Sequence, residues 1–209
     1  MTELQRPHLA GVVLCGGDSE RMGRSKPLLD FGGESLLRRV VRIVSQAADP
    51  VVVSAAADQD LPGLDPAVLV VRDSVPDRGP LQGLAEGLAA VGSRCHAAFV
   101  CTCDAPFTTP AYIRRLGELL GRHDAVMPLS GDRRHPLSAV YRVGVAAQAG
   151  RLLERDGRRM TELLDMIDVR FVTPDAWGDL GLDLDPLRNL NTPEDYRQAL
   201  DEFRAASSE

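Results

Sequence analysis

Four short runs, Leu9–Leu14, Val51–Ala55, Ala67–Val71 and Ala97–Cys103, are apolar almost without a break, and amphipathic stretches stand between them. A strand with one wet face alternates, whereas a strand apolar throughout has to be covered on both sides. The runs therefore predict an α/β fold, a mostly parallel central sheet with helices on both faces, because parallel neighbours need long crossovers. The crossovers are visible. Ser35–Ala47 carries Leu36, Leu37, Val40, Val41 and Val44 as one stripe, and Leu81–Val91 carries Leu81, Leu84, Ala85 and Leu88. Thr109-Pro110 and Thr192-Pro193 each set a capping hydroxyl before a proline at a first helical position, and the second continues with Tyr196, Ala199, Leu200 and Phe203 on one face. The middle breaks this rhythm: Ala125–Pro128, a turn at Ser130-Gly131-Asp132 and then Pro136–Tyr141 read as a strand pair, a small antiparallel extension expected around the substrate. Pro174–Pro186, rich in Asp, Gly and Pro, reads as a mobile loop, and the 209 residues as one domain, 1–209.

Charge narrows the function. With 44% hydrophobic and 26% charged residues the composition is that of an ordinary globular protein, and the net charge of −6 argues against a broad nucleic-acid or acidic-membrane surface. No nucleic acid and no membrane is expected as a partner, so an anionic ligand has to be met by a local group of cations. The first twenty residues lack the apolar centre of a signal peptide and no run approaches a membrane span, from which a cytoplasmic location is expected. Cys15, Cys95, Cys101 and Cys103 have neither disulfide-framework nor zinc-ribbon spacing. Cys101 and Cys103 lie two apart in a buried strand and read as small core residues, with redox or metal use as the alternative.

The first strand runs into Gly16-Gly17 and then into Arg21, Arg24 and Lys26. Common phosphate loops fail on spacing. Five residues, not four, separate Gly17 from Gly23, which precedes Arg24, and Gly16-Gly17 lacks the interval of the dinucleotide fingerprint. What remains is a Gly-Gly turn whose amides can approach a polyphosphate, with Arg21 and Lys26 able to close over it. A surface turn with solvated cations is the plain alternative, and the combination of strand, double glycine and two cations weighs against it.

The stretch "LCGGDSERMGRSKPLL" resembles the signature L-x-G-G-x-S-x-R-M-G-x-x-K of nucleotidyltransferases that activate small phosphorylated compounds. Within these it is most similar to the molybdenum cofactor guanylyltransferase family. "RDSVPDRGPLQG", "CDAPF", "RRHPLSAVYR" and "RNLNTPEDY" match in the family's order, so the resemblance runs from residue 11 to about residue 203. It implies a Rossmann-like three-layer nucleotidyltransferase fold and transfer of GMP from GTP to the terminal phosphate of molybdopterin, releasing pyrophosphate. The partners implied are GTP and molybdopterin as small-molecule substrates, with proteins that insert molybdenum or carry the cofactor as further candidates.

The same resemblance assigns roles. Arg21, Lys26 and Asp104 are the catalytic candidates, with Lys26 and Arg21 on the triphosphate and Asp104 as the ligand of Mg²⁺, the cofactor implied. Leu14, Cys15, Gly16, Gly17, Lys26, Asp73, Gly79, Pro80, Gly83 and Asp104 are the nucleotide-binding candidates. His135, Asn189 and Asn191 are the substrate-binding ones. Position and chemistry support Asp104 independently: it ends an apolar strand, where open α/β sheets place ligands, and Mg²⁺ takes one or two carboxylates beside phosphate oxygens and water. Local alternatives stand beside these roles: helix capping for Asp104, Asn189 and Asn191, turn formation for Asp73 and His135, and a plain loop-to-helix junction for Gly79, Pro80 and Gly83. Arg134 stands where the family has Asp before His-Pro, and Cys15 where it has Ala. Related cytidylyltransferases resemble L-A-A-G and guanylyltransferases L-A-G-G in the first loop, so Gly16 favours GTP, and a cytidylyltransferase is the alternative. Two rivals from other classes are a nucleotide-binding regulator without catalysis and a redox or interaction protein built on Cys101 and Cys103.

Overall fold

The computed structural model describes residues 9–16, 25–173, 175–176 and 184–206. Gly17, Arg21 and most of the predicted 174–186 loop lie outside them. Strand β1 (Leu9–Cys15) is buried along its whole length, as are β2 (Val51–Ala55) and, up to its last residue, β4 (Ala97–Thr102). Their unbroken apolar character has the expected cause: helices cover both faces. Odd-numbered β1 residues Leu9, Val13 and Cys15 pack with Leu37, Val40 and Val44 of α1 (Leu36–Ser45) and with Tyr112, Ile113 and Leu116 of α3 (Pro110–Leu119). Even-numbered Ala10, Val12 and Leu14 pack with Leu81, Leu84 and Leu88 of α2 (Pro80–Val91). Strand β3 (Leu69–Arg72) is the exception, a half-exposed edge strand.

Strands β1 to β4 are mutually parallel in the order β3-β2-β1-β4. The chain steps outward from β1 to β2 and β3, then returns through α2 to pair β4 on the other side of β1. This makes the junction of β1 and β4 the topological switch point, whose C-terminal edge is the ligand position of an open α/β sheet. Gly16 follows β1 there, and Asp104 follows β4.

The expected antiparallel pair exists, but it is built into the sheet. Strand β7 (Ser138–Arg142) lies between β4 and β5 (Ala125–Ser130) and is antiparallel to both, so β5 again runs parallel to β1. Only the short hairpin of β5 with β6 (Arg133–Arg134) projects as an extension. Among the described residues, the two-residue β6 and three longer elements were not anticipated from the sequence: α4 (Val145–Glu154), α5 (Met160–Leu164) and β8 (Val169–Val172), which adds in parallel to β5.

The last helix, α6 (Pro193–Ala206), starts at Thr192 as its sequence requires. The Thr192 hydroxyl accepts from Asp195 N at 3.1 Å, and the Asp195 carboxylate accepts from Thr192 N at 2.9 Å. Its apolar side joins a separate cluster of Leu29, Phe31, Leu36, Leu190, Ala199 and Leu200, with Phe107, Tyr196 and Phe203 at the margin. The helix thereby braces two segments far apart in sequence, the turn after Lys26 and the loop after Asp104. Among the described residues no helix is long and apolar enough to cross a membrane.

Candidate active site

At the switch point Lys26 Nζ donates to Asp104 Oδ2 at 2.5 Å, and Thr102 Oγ1 donates to Asp104 Oδ1 at 2.5 Å. Asn189 Nδ2 reaches Thr102 Oγ1 at 3.3 Å, and Leu190 N donates to the Asp104 carbonyl at 3.0 Å. The side chain is only 9% exposed and both its oxygens are engaged, which makes it a fixed anion with its cation already beside it. Three sequence-derived candidates, Lys26, Asp104 and Asn189, are thus one hydrogen-bonded unit. Asn191 stands apart from it, exposed, its N–H donated to Asp195 at 3.1 Å. Burial pushes the Asp195 carboxyl up, but hydrogen bonds from Thr192 and Asn191 and the charge of Lys26 outweigh it and hold it below its ordinary value.

The surroundings keep this unit in place. Arg39 of α1 stacks its guanidinium 5.1 Å from the Phe31 ring and 4.4 Å from the Phe203 ring, and its Nε donates to Pro106 O at 3.1 Å. The Tyr196 hydroxyl donates to Asp30 O. These contacts tie α1, α6, the Lys26 turn and the Asp104 loop together.

A second group lies across β1, at the ends of β2 and β3. Ser54 Oγ, 2% exposed as a residue, donates to Asp73 Oδ1 at 3.4 Å. Burial and the nearby charge of Glu86 raise the Asp73 carboxyl above its usual range, against the hydrogen bond from Ser54. Gly16 adjoins this carboxylate: a Cβ built on it would come 3.9 Å from Asp73 Oδ2. Gly79 has φ +68° and caps α2, with Pro80 in the first turn, so the loop-to-helix junction takes a conformation that favours glycine. A Cβ at Gly83 would meet Ser54 Oγ at 3.3 Å and Leu14 at 3.4 Å, which binds the start of α2 closely to β1 and β2.

The carbonyls of Leu14 and Cys15 already accept, from Cys103 N at 3.0 Å and Ala56 N at 3.2 Å. Cys15, Cys101 and Cys103 sit in one apolar cluster as free thiols, and burial pushes the Cys101 thiol far up. They are core residues, as the strand spacing predicts. His135 belongs to neither group: its Nε2 pairs with Ser130 Oγ at 2.8 Å on the projecting hairpin, and burial followed by the Arg133 charge lowers its pKa.

Ser54, Thr102, Gln82 and Glu86 were not among the sequence-derived candidates. Thr102 ends β4 and Ser54 is the last residue but one of β2, both on the ligand side, a positional signal available in the sequence. Gln82 and Glu86 show only the i, i+4 spacing of one helix face, which says nothing about what they meet.

Among the described residues no group of three or more His, Cys, Asp or Glu side chains is arranged to hold a metal. The donor set at Asp104 is nevertheless of the hard-oxygen kind that suits Mg²⁺ when phosphate oxygens and water complete the shell.

Known proteins resemble this chain in sequence and in fold. The MobA-like NTP transferase domain family matches residues 11–169, a span containing Gly16, Lys26, Asp73, Gly83 and Asp104. A protein named "Probable molybdenum cofactor guanylyltransferase" from Mycobacterium avium is 37% identical over 202 residues, 94% of this chain and 97% of its own. A protein of the same name from Mycobacterium tuberculosis H37Rv is 40% identical over 189 residues, 88% and 89% of the two chains. In fold the chain resembles molybdopterin-guanine dinucleotide biosynthesis protein A from Archaeoglobus fulgidus, with a TM-score of 0.76 at 22% identity, covering 94% of this chain and 100% of the other. Since the family model spans most of the chain and relatives 37% and 40% identical cover nearly all of it, the chain belongs to the MobA-like NTP transferase family and is an enzyme of the nucleotidyltransferase class.

Proposed function

We propose that this enzyme transfers GMP from GTP to the terminal phosphate of molybdopterin, forming the guanine dinucleotide cofactor and releasing pyrophosphate. The observation that carries the reading is the Lys26–Asp104 pair at the switch point, one strand away from Gly16, together with relatives that bear the guanylyltransferase name. A phosphate oxygen of the acceptor forms a bond to the α-phosphorus, and the bond from that phosphorus to the oxygen bridging to the β-phosphate breaks. Its electron pair leaves with pyrophosphate. The attacking group is already anionic, so the protein's work is to align two anions and neutralise the charge that grows on the bridging oxygen.

In this reading Lys26 supplies that neutralisation. The outward part of its contact with Asp104 is exchangeable for a phosphate oxygen, since the side chain is 19% exposed. Arg21, outside the described residues, is assigned to the triphosphate by its place in the motif. Asp104 is the residue that would hold Mg²⁺, with the Thr102 hydroxyl 2.5 Å from its carboxylate as the adjacent oxygen; when bound, the ion supplies charge stabilisation on phosphate oxygens. Asp73 and Gly16 flank the position assigned to the nucleoside.

The test is pyrophosphate release with molybdopterin and Mg²⁺ across GTP, CTP and ATP. A kcat/KM highest for GTP supports the proposal. A higher value for CTP overturns it in favour of a cytidylyltransferase, and no release with any nucleotide would leave a binding protein.

A further inference from the structure

Glu86 and Gln82 face the loop that follows β3 and are tied to it by an unusual concentration of hydrogen bonds. Glu86 Oε1 accepts from Ser74 N at 3.0 Å, from Ser74 Oγ at 2.5 Å and from Gln82 Nε2 at 2.5 Å, and Gln82 Nε2 also lies 3.2 Å from Ser74 Oγ. An ionised carboxylate accepts only. It therefore fixes which end of the Gln82 amide turns towards it: the nitrogen faces Glu86 and the oxygen faces away. That oxygen accepts no hydrogen bond from any described residue. It is not sealed either, for the sealed and unpartnered side-chain oxygens among the described residues are those of Thr108 and Gln148. A residue only 6% exposed thus spends its amide nitrogen on the protein and leaves one oriented acceptor open.

Its neighbourhood is the nucleoside side of the site. Gln82 lies between Pro80 and Gly83 in the first turns of α2, and Gly83 abuts Ser54, the hydrogen-bond donor to Asp73. Asp73 directly precedes Ser74, which Glu86 grips through both N–H and hydroxyl. The two acceptors, the Asp73 carboxylate and the Gln82 amide oxygen, belong to neighbouring residues of the site, linked by Ser74, whose hydroxyl lies 3.2 Å from Gln82 Nε2. Guanine offers two adjacent donors there, its N1–H and 2-amino group. Cytosine offers one amino group next to ring and carbonyl acceptors, which would face protein acceptors unpaired.

We infer that Gln82, its amide oriented by Glu86, reads the donor edge of the base and selects guanine. Glu86 is a positioning residue in this scheme, acting through Gln82. The inference rests on the guanine reading above and adds to it a residue pair and a direction of hydrogen bonding.

Calorimetric binding of GTP and CTP in the presence of Mg²⁺, without the pterin, tests it. Both nucleotides carry the same triphosphate, so a loss confined to GTP reports on the base. In Gln82→Ala the preference for GTP over CTP should shrink by roughly tenfold, the effect of one lost hydrogen bond in a largely desolvated site. In Glu86→Gln, whose neutral amide can donate as well as accept, the Gln82 amide is free to turn around, and the preference should shrink similarly although Gln82 is intact. A structural brace would instead weaken GTP and CTP alike. Equal weakening of both nucleotides, or an unchanged preference in folded Gln82→Ala, overturns the inference while leaving the guanine reading in place. If the unsubstituted enzyme binds GTP no better than CTP, the guanine reading falls and the inference falls with it.

Discussion

The two halves of the site are held by different physics. At the junction of β1 and β4, Lys26 and Asp104 form a short ion pair, and the apolar cluster under α6 grips the segments that carry them. Beside the ends of β2 and β3, Ser54 with Asp73 and Glu86 with Ser74 and Gln82 form two adjacent hydrogen-bonded groups, each with one carboxylate and, among the described residues, no Lys or Arg in its bonds. The first half provides opposite charge in contact, suited to moving an anion onto a phosphorus atom. The second provides oriented acceptors, one of them a carboxyl raised by burial and by a like charge, suited to telling one base from another. Rate should therefore depend most on the first half, and nucleotide choice on the second.

The largest effect should come from Lys26→Ala. Removing a cation from a developing negative charge in a desolvated site costs on the order of 10²–10³ in kcat. The melting temperature should fall as well, because the substitution leaves the buried Asp104 carboxylate without its cation, so turnover is compared at a temperature where both proteins are folded. Steady-state pyrophosphate release together with a thermal melt checks both. Turnover near that of the unsubstituted enzyme would remove Lys26 from the chemistry and dissolve the contrast. Asp104→Asn comes next: a neutral amide is a poorer ligand for a hard cation, so the Mg²⁺ concentration for half-maximal rate should rise by roughly tenfold or more. A magnesium titration with an unchanged midpoint would show that Asp104 serves as an ion-pair partner only.

How much of this could be read beforehand follows the same division. The charged half stood in the sequence: Gly16, Lys26 and Asp104 follow unbroken apolar strands, and a strand apolar on both faces has its ligands at its end. Helices with hydroxyl-proline starts were legible as well. Strand β8 was not, because Arg170 and Phe171 are exposed on an edge and only Val172 is buried, which leaves no alternation to read. Helix α4 was missed since its buried stripe, Val145, Ala149 and Leu153, is thin and interrupted by Gly150. Nor could the place of β7 inside the sheet be inferred, since strand order depends on long-range pairing and not on local pattern. Gln82 and Glu86 were opaque for that reason too: their meaning comes from Ser74, eight and twelve residues away through a loop.

The nucleoside half can be broken by pH. Since burial and Glu86 raise the Asp73 carboxyl, it takes up a proton at a higher pH than a free aspartate does. If the ionised form accepts from the base, kcat/KM for GTP should fall as pH drops through that raised value, with the fall appearing in KM. Asp73→Asn should weaken GTP binding about tenfold, the scale of a hydrogen bond to a charged group. It should also flatten this acid limb. A limb of the same shape in Asp73→Asn would assign it to another group. For stability the sign is reversed. A carboxyl raised by folding makes its ionised form unfavourable in the native state, so this group adds stability as pH falls through the raised value.

The smallest effect discriminates most sharply, and it sets two glycines of the same sheet region against each other. A Cβ at Gly87 would lie 2.4 Å from Val12 Cγ1 on a fully buried strand, so Gly87 is required by packing. Gly87→Ala should destabilise the fold by about 1–3 kcal/mol, through overpacking between α2 and β1. Gly16 is different. Among the described residues the nearest neighbour for an added Cβ is Asp73 Oδ2 at an ordinary 3.9 Å, so their packing does not demand glycine there. Gly16→Ala should leave the melting temperature within the small range of an uncrowded substitution, about ±0.5 kcal/mol. If the bare backbone exists for a purine lying against it, the same methyl should lower the ratio of kcat/KM for GTP over CTP by a few-fold, on the scale of small steric changes in a binding pocket. Competition between the two nucleotides in one reaction measures that ratio directly. A ratio unchanged in Gly16→Ala, with the fold intact, would move the choice of base away from the β1 loop and onto the acceptors at the ends of β3 and α2.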